Sequence, residues 1–377
     1  MISCARPFAR AGLGLVALGL VTARASAQPS RFHLSRSLSL VQVYDDNLFS
    51  TPAARRADYI WRLSPRVGIG HASRRLTLAA RYGLDAELFR RHPELNTAVA
   101  GQDAALELGW APSRLLAASA SASYAQAQAP GELNTVTGLQ AGRVRARRLS
   151  AAGSLTWQLG VRTKATVEPR FIREEFAGGQ GNDTQVATLA AERRLGPVDR
   201  GRVSYGARRF VFGQKQTESH VVTLGWSREI TPLAHFELEA GPRLTGHTVG
   251  AEVAAALKHR FRSGDASLAY LHSQTTVLGE PGPVTAEGLS ATFSRQLLGS
   301  VRIAGGPASF RVRGERSEAT VHRLNLEVTW PVTRRLVVVA SHQFSLQRGG
   351  LGLGGTPMPE IVHNALLVRL TAASAGY

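Results

Sequence analysis

The segment Leu76–Leu88, LTLAARYGLDAEL, decides the fold of this chain. Most of its even-numbered positions hold leucine, alanine or tyrosine, whereas Arg81, Asp85 and Glu87 lie between them. Successive side chains of a β-strand point to opposite faces, so the segment predicts a strand with one apolar and one polar face. The same alternation recurs from about Phe32 to the C-terminus, which predicts an all-β chain.

Residues 1–27 have the features of a signal peptide. Arg6 and Arg10 give a positively charged start before an apolar run, and Ala25-Ser26-Ala27 is typical of a cleavage site. We expect cleavage at this site, leaving residues 28–377 as a single domain. An uncleaved anchor helix is the alternative, and the shortness of the run disfavours it because a spanning helix needs about 20 apolar residues.

The composition narrows the classes of protein to which the chain can belong. The only cysteine, Cys4, lies in the leader, so residues 28–377 offer neither a disulfide framework nor a cysteine metal site. No later segment approaches the roughly 18 consecutive apolar residues of a transmembrane helix. The formal net charge is +18, yet no nucleic-acid-binding motif is present. We therefore expect the charge to face a lumen, a lipopolysaccharide surface or an anionic solute.

Two kinds of break take turns along the chain. Tight breaks alternate with longer polar segments, which are residues 50–57, 91–102, 131–143, 177–183, 213–218, 279–286 and 348–359. Short periplasmic turns alternating with long outer loops are typical of barrels in the Gram-negative outer membrane. The sequence therefore predicts a transmembrane antiparallel up-and-down β-barrel of about 18 strands, with 16 as the alternative and both termini in the periplasm.

Aromatic residues mark both predicted membrane interfaces. Trp110, Trp157, Trp226 and Trp330 lie within a few residues of tight breaks, which predicts a periplasmic aromatic girdle. An outer girdle is predicted from the aromatic residues near the long segments, namely Tyr44, Phe49, Tyr59, Trp61, Phe89 and Phe176.

The sequence holds no recognisable set of catalytic residues. It has no Gly-Lys-Ser phosphate loop, no Gly-x-Ser-x-Gly elbow and no His-Glu-x-x-His motif. The histidines show no ligand spacing, and Asp45-Asp46-Asn47 lacks the glycine and distal glutamate of a calcium loop. We expect no enzymatic activity, no cofactor and no metal site.

Assigning the apolar row to lipid leaves a basic row facing the lumen. The predicted pore-lining bases are Arg62, Arg66, Arg75, Arg81, Arg162, Lys164, Arg170, Arg202, Arg208, Arg243, Lys258, Arg260, Arg302, Arg311, Arg313, Arg323, Arg335 and Arg369. The predicted pore-lining acids are fewer, namely Asp85, Glu87, Glu168, Glu237, Glu239 and Glu327, with Asp58, Glu192 and Glu252 on the same side. A basic water-filled tube attracts anions, and arginine binds carboxylate, sulfate or phosphate through two parallel hydrogen bonds.

A structural role is the alternative for each of these arginines. Arginine and glutamate on neighbouring strands can pair into a ladder that stiffens the wall without contacting a solute. Glu168 and Arg170 are an example of residues placed for such pairing. For the net excess of positive charge we favour a role in anion passage.

The chain resembles the β-barrel porin 2 family of exopolysaccharide-associated outer-membrane barrels. The resemblance rests on the segment Tyr44, Asp45, Asp46, Asn47, Leu48 and Phe49, on Asp58-Tyr59-Ile60, and on residues 237–242, and it extends over essentially the whole chain after the leader. The Tyr-Asp-Asp-Asn segment is the distinctive part.

This resemblance implies an outer-membrane channel that exports a secreted polysaccharide together with a periplasmic polysaccharide-export protein. We expect the barrel to be monomeric and to contact membrane lipid and lipopolysaccharide. The sequence departs from larger export barrels, because it leaves no room before Phe32 for a helical-repeat domain, and its terminal Tyr377 is out of phase with the last apolar row. Two alternatives stay open. One is a general diffusion porin for small anionic solutes, and the other is a non-conducting structural or adhesive barrel.

Overall fold

The fold is a closed antiparallel β-barrel. The computed structural model describes residues 31–374, apart from 135–136, 141, 180, 279, 281, 298, 316–317 and 351–359, so the predicted signal peptide lies outside the described residues. Every strand pairs with its neighbours in sequence, and the first strand pairs with the last, which closes the barrel. The predicted 18 strands are confirmed.

Eighteen strands of 12 to 17 residues form the wall. They are β1 Arg31–Asp45, β2 Asp58–Ala72, β3 Leu76–Phe89, β4 Thr97–Trp110, β5 Leu116–Ala127, β6 Ala146–Gln158, β7 Thr163–Phe176, β8 Asn182–Arg194, β9 Asp199–Phe212, β10 Lys215–Thr231, β11 Ala234–Thr245, β12 Thr248–Phe261, β13 Gly264–Thr276, β14 Pro283–Leu297, β15 Val301–Arg313, β16 Glu318–Pro331, β17 Leu336–Gly350 and β18 Ile361–Ala373. A 3₁₀ turn (Pro93–Leu95) and a short helix α1 (Pro130–Leu133) lie in two connections at the outer end. Among the described residues, no helix is long and apolar enough to cross a membrane.

The connections are short at the periplasmic end and mostly longer at the outer end, as the breaks in the sequence predict. Several individual connections differ from the prediction. The predicted loop at 213–218 is a two-residue turn, because β10 begins at Lys215. The outer connections at 246–247 and 314–317 were not predicted. The predicted segment 91–102 is largely strand, since β4 begins at Thr97.

Strand register assigns every side chain to a face. Leu38 and Leu40 on β1 are about half exposed on the outside, whereas Ser39 and Val41 between them are buried on the inside. Val41 opposes Arg62 on β2 and Arg369 on β18, so these arginines also point inward. The outward face is apolar and exposed around the barrel, which is the surface that hydrocarbon requires.

The outward tryptophans match the predicted periplasmic girdle. Trp110, Trp157, Trp226 and Trp330 are all exposed at the periplasmic ends of their strands. The predicted outer girdle is only partly correct. Tyr44, Tyr59 and Trp61 take outward positions, since Tyr44 opposes Tyr59 and Trp61 is two residues further along β2.

The other three predicted outer-girdle residues lie among loops and the lumen. Phe89 is buried with Leu48 and Ile60, and Phe49 packs against the same cluster. Phe176 packs against the buried cluster of Leu133 and Leu278. Proximity to a loop therefore did not fix the face of these rings.

Four prolines interrupt the hydrogen-bond ladder. Pro65, Pro169, Pro242 and Pro307 all point outward from the middle of strands. Beside each proline the register skips two positions, between β2 and β3, β6 and β7, β10 and β11, and β14 and β15. Proline has no N–H to donate, so each break follows from the residue itself. Successive breaks along the chain are four strands apart, and six strands separate the last break from the first around the closed wall.

Polar side chains join the first strand to the last at the outer end. Asp46 accepts hydrogen bonds from the backbone and side-chain nitrogens of Asn364, at 2.6 and 2.8 Å. The fully buried Asn47 donates to the carbonyls of Thr51 and Val362, at 2.8 and 2.9 Å. The distinctive Asp-Asp-Asn segment therefore closes the seam of the barrel.

Asn47→Ala should weaken this seam. The substitution leaves the carbonyl of Val362 and the N–H of Thr51 without their partner, which costs about 1–3 kcal/mol of the free energy of unfolding. Denaturant unfolding followed by heat-modifiable gel mobility measures this loss. Asn325→Ala on β16, whose side chain has no hydrogen bond in the described part of the chain, is the matched control and should change stability by less than about 0.5 kcal/mol. Equal losses in both variants would contradict a clasp at Asn47.

Candidate functional site

The lumen is the site that the fold creates, and most of the predicted bases lie on its wall. The inward positions hold Arg62, Arg66, Arg81, Lys164, Arg170, Arg202, Arg208, Arg243, Lys258, Arg260, Arg302, Arg323 and Arg369. All predicted acids are also inward, namely Asp85, Glu87, Glu168, Glu237, Glu239 and Glu327, as are Asp58, Glu192 and Glu252.

Five predicted pore-lining bases lie elsewhere. Arg75, Arg162 and Arg335 fall in the periplasmic turns, where the strands have already ended. Arg311 and Arg313 point outward, because Val312 between them is buried on the inner face. Their guanidinium groups pair with Glu318 on the neighbouring outward position.

A long outer loop folds into the lumen. This loop, residues 128–145, is called L3, and it joins β5 to β6. Leu139 of L3 is buried against Val277, Val284, Val312 and Val321 of the opposite wall and its outer loop. Removal of these apolar side chains from water holds L3 across the barrel. The lumen is therefore narrowed near its outer end.

Hydrogen bonds fix L3 from both sides. The Gln347 side chain on β17 accepts from the Gln140 N–H at 2.8 Å and donates to the Gln140 carbonyl at 3.3 Å. The Asn134 side chain accepts from the Leu278 N–H at 3.1 Å, which ties L3 to the β13–β14 loop. These side chains pair buried backbone groups of two loops that have no ladder of their own.

A compact group of charges lies where L3 meets β2 and β3. Glu87 accepts from Arg62 at 2.5 Å and from Arg143 of L3 at 3.0 Å. Glu132 of L3 is 3.9 Å from Arg62. Half of the Glu132 side chain is exposed in the lumen, but the surrounding barrel wall weakens its solvation, which raises the pKa of Glu132 above its ordinary value against the pull of Arg62.

Many of the inward bases form ion pairs with acidic side chains of the wall. Glu252 accepts from Arg208 and Arg243 at 2.9 and 2.8 Å, and both arginines become part of the wall. Further pairs join Arg66 to Asp103, Lys164 to Glu192, Arg202 to Glu168, Lys258 to Glu237, and Arg302 to Asp265. For these paired arginines, the structure therefore favours the alternative given above, in which arginine and acid side chains pair within the wall.

A few bases face the lumen without such a partner. Within the described part of the chain, the side chains of Arg81, Arg170, Arg260 and Arg369 make no hydrogen bond and no ion pair with another residue. Arg81 and Arg369 lie four to five residues from the periplasmic ends of β3 and β18. Their guanidinium groups are free to bind a solute anion.

Sequence reasoning missed several lumen residues. The inward acids Asp103, Glu107, Glu174 and Asp265 were not predicted, so the wall is closer to charge balance than expected. Arg148, which pairs with Glu174, was also missed. In Arg147-Arg148 only the strand register decides which arginine points inward, and the sequence alone does not supply that register.

The positive charge is concentrated at the periplasmic mouth instead. The eight periplasmic turns contain seven arginines and no acidic residue, namely Arg74, Arg75, Arg114, Arg162, Arg262, Arg334 and Arg335. The outer connections have nearly equal numbers of bases and acids. The electrostatic potential is therefore more positive at the periplasmic mouth than at the outer mouth.

The distinctive Tyr44 to Phe49 segment lies at the outer rim. Asp45, Asp46 and His363 place ligand-type atoms within 4.8 Å of one another, which is a spacing that a metal ion could use. His363 is already 2.9 Å from Asp45, and Asn364 occupies both oxygens of Asp46. These contacts belong to the seam.

Similarity to known proteins is found among solved structures. No family model and no curated protein matches this chain. Among solved structures, OccAB4 of Acinetobacter baumannii is similar over 92% of this chain and 100% of its own, at 9% identity and a TM-score of 0.49. OpdQ of Pseudomonas aeruginosa is similar over 91% and 98%, at 7% identity and a TM-score of 0.47. An anion-selective porin from Comamonas acidovorans is similar over 92% and 100%, at 12% identity and a TM-score of 0.38.

None of these likenesses bears on what this chain transports. Its own wall defines its class. A closed barrel of 18 strands with an apolar exterior, a tryptophan girdle and a charged interior is an outer-membrane β-barrel of a Gram-negative bacterium.

Gln347→Leu should loosen L3. Loss of the two hydrogen bonds to Gln140 costs about 1–3 kcal/mol, so detachment of the loop becomes roughly 5- to 150-fold more frequent. Planar-bilayer recordings should show more frequent excursions to a larger conductance. The control is Gln343→Leu, four residues closer to the periplasm on the same face of β17, whose side chain has no hydrogen bond in the described residues. An unchanged record for Gln347→Leu would argue against L3 as the constriction.

Acid should increase the preference of the channel for anions. The raised pKa of Glu132 means that this carboxyl loses its negative charge at a higher pH than an ordinary glutamate as the pH falls. Reversal potentials measured in a salt gradient between pH 8 and pH 5 report the change. Glu132→Gln should show the acid selectivity already at pH 8 and a flatter profile. A profile that is the same in both proteins would exclude Glu132 as its origin.

Proposed function

We propose that this protein is an outer-membrane diffusion channel for small anionic solutes. The observation that carries the proposal is a set of guanidinium groups on the lumen wall that have no hydrogen-bond or ion-pair partner among the described residues, at Arg81, Arg170, Arg260 and Arg369. A guanidinium group in a water-filled tube with low-dielectric walls attracts anions, and it binds a carboxylate or phosphate through two parallel hydrogen bonds.

The basic periplasmic mouth acts in the same direction. Seven turn arginines without an acid raise the local concentration of anions at that opening. Conduction also requires that each binding step be weak. The ion pairs along the wall meet that requirement, because they leave only a few arginines to hold a solute at any one time.

The narrowed lumen favours small solutes over a thick polymer. L3 is anchored by the Leu139 cluster and by Gln140, so a solute passes beside a fixed loop. Export of an anionic polysaccharide remains a second candidate, and the basic periplasmic mouth favours it. That mouth would collect an anionic polymer from the periplasm, where an export protein would deliver it.

Removal of the partner-free arginines tests the anion proposal. The triple variant Arg81→Ser, Arg170→Ser and Arg369→Ser should lower the anion-to-cation permeability ratio by roughly twofold or more, because the lumen potential falls. The ratio is read from reversal potentials across a planar bilayer in a salt gradient. The matched control replaces Arg147, Arg209 and Arg313, which point outward, and should leave the ratio unchanged. A cation-selective wild type, or an equal effect in both triple variants, would overturn the proposal.

Deletion of the gene separates the two candidates. A diffusion channel predicts slower uptake of small organic anions with normal release of exopolysaccharide. An export channel predicts the reverse, with polymer accumulating in the periplasm. Normal uptake and normal release together would favour the non-conducting alternative.

A further inference from the structure

Two concave surfaces on the outside of the wall face lipid. Each lies over one of the proline breaks. One has a volume of about 650 Å³ and lies beside Pro65, and the other has a volume of about 480 Å³ and lies beside Pro307. A missing ladder bond lets the strands separate locally, so the dents follow from the breaks.

The larger dent, called the seam groove, has an apolar floor. It is lined by Leu38, Pro65, Val67, Tyr82 and Leu84 of β1, β2 and β3. All five side chains point outward, toward the hydrocarbon. Water is absent at this depth, so a lipid chain is the material that fills the groove and covers the interrupted ladder.

Two arginines stand at the periplasmic lip of the seam groove. The end of β18 lies between them, because the Ala373 N–H donates to the Arg335 carbonyl and the Ser374 N–H donates to the Arg36 carbonyl, both at 2.9 Å. Arg36 lies on the outward face of β1, and Arg335 lies in the β16–β17 turn. Neither guanidinium group makes a hydrogen bond or ion pair within the described residues.

The two parts of the seam groove match the two ends of a phospholipid: the arginines match the phosphate, and the apolar floor matches an acyl chain. A guanidinium group at an apolar interface is stabilised by an anion, and a phosphodiester offers it two oxygens in the matching geometry. The periplasmic leaflet is where such headgroups lie, at the level of the tryptophan girdle. The Pro307 dent provides an internal contrast, because its lining contains the same kind of break and no arginine.

We propose that the seam groove binds one anionic phospholipid of the periplasmic leaflet, with its phosphate between Arg36 and Arg335 and an acyl chain across Pro65. The lipid seals the wall beside the β1–β18 junction. This site does not depend on which solute crosses the lumen.

Native mass spectrometry of the full-length protein tests the site. Protein stripped of lipid is titrated in detergent with phosphatidylglycerol or with phosphatidylethanolamine at the same concentration. Wild type should retain one phosphatidylglycerol, and Arg36→Ser with Arg335→Ser should require at least tenfold more lipid for the same occupancy. The matched control, Arg114→Ser with Arg262→Ser, removes the same charge from two other periplasmic turns and should retain the lipid.

A second variant tests the groove without changing charge. Pro65→Ala restores a backbone N–H, allows the ladder to close and should lower phosphatidylglycerol occupancy although both arginines remain. Heat-modifiable gel mobility verifies that each variant is folded. The proposal is overturned if the control pair loses as much lipid as the seam pair, if phosphatidylethanolamine is held equally well without regard to the arginines, or if a second copy of the barrel occupies the groove.

Discussion

The whole structure depends on the pairing of β1 with β18. In hydrocarbon each unpaired backbone N–H or carbonyl costs several kcal/mol, so a sheet that spans a membrane must close on itself. Nine consecutive residue pairs, from Ser37 with Ala373 to Asp45 with Ala365, make this closure. Asp46 and Asn47 extend it beyond the last ladder bond. Once the barrel is closed, every strand has one face toward lipid and one toward the lumen.

The face assignment is the part that sequence predicts well. A period of two is a local signal, and it correctly predicts the strand number and the inward side of thirteen of the eighteen predicted bases. It failed on β15, where Arg302 and Arg311 were assigned to one face although nine residues separate them. The stretch Gly305-Gly306-Pro307 has no large apolar side chain to set the phase there, and the strand runs through it without a bulge.

The constriction could not be predicted in the same way. Gln140 and Gln347 are 207 residues apart, and their hydrogen bonds exist only because closure brings β17 opposite L3. Leu139 did carry a signal, as an apolar residue within a polar loop. Its partners belong to four different segments, so no local pattern names them. The inward acids were missed for a related reason, since Asp103 and Glu174 differ from outward acids only in register.

The position of each arginine relative to hydrocarbon and water decides what it does. Arginines next to a wall carboxylate are held in the wall, as Arg208 and Arg243 are by Glu252. Other arginines have no hydrogen-bond or ion-pair partner among the described residues. Arg81 and Arg369 point into the lumen, whereas Arg36 points outward at the seam. The register of the closed barrel therefore separates the arginines paired in the wall from those to which we assign solute attraction and lipid contact.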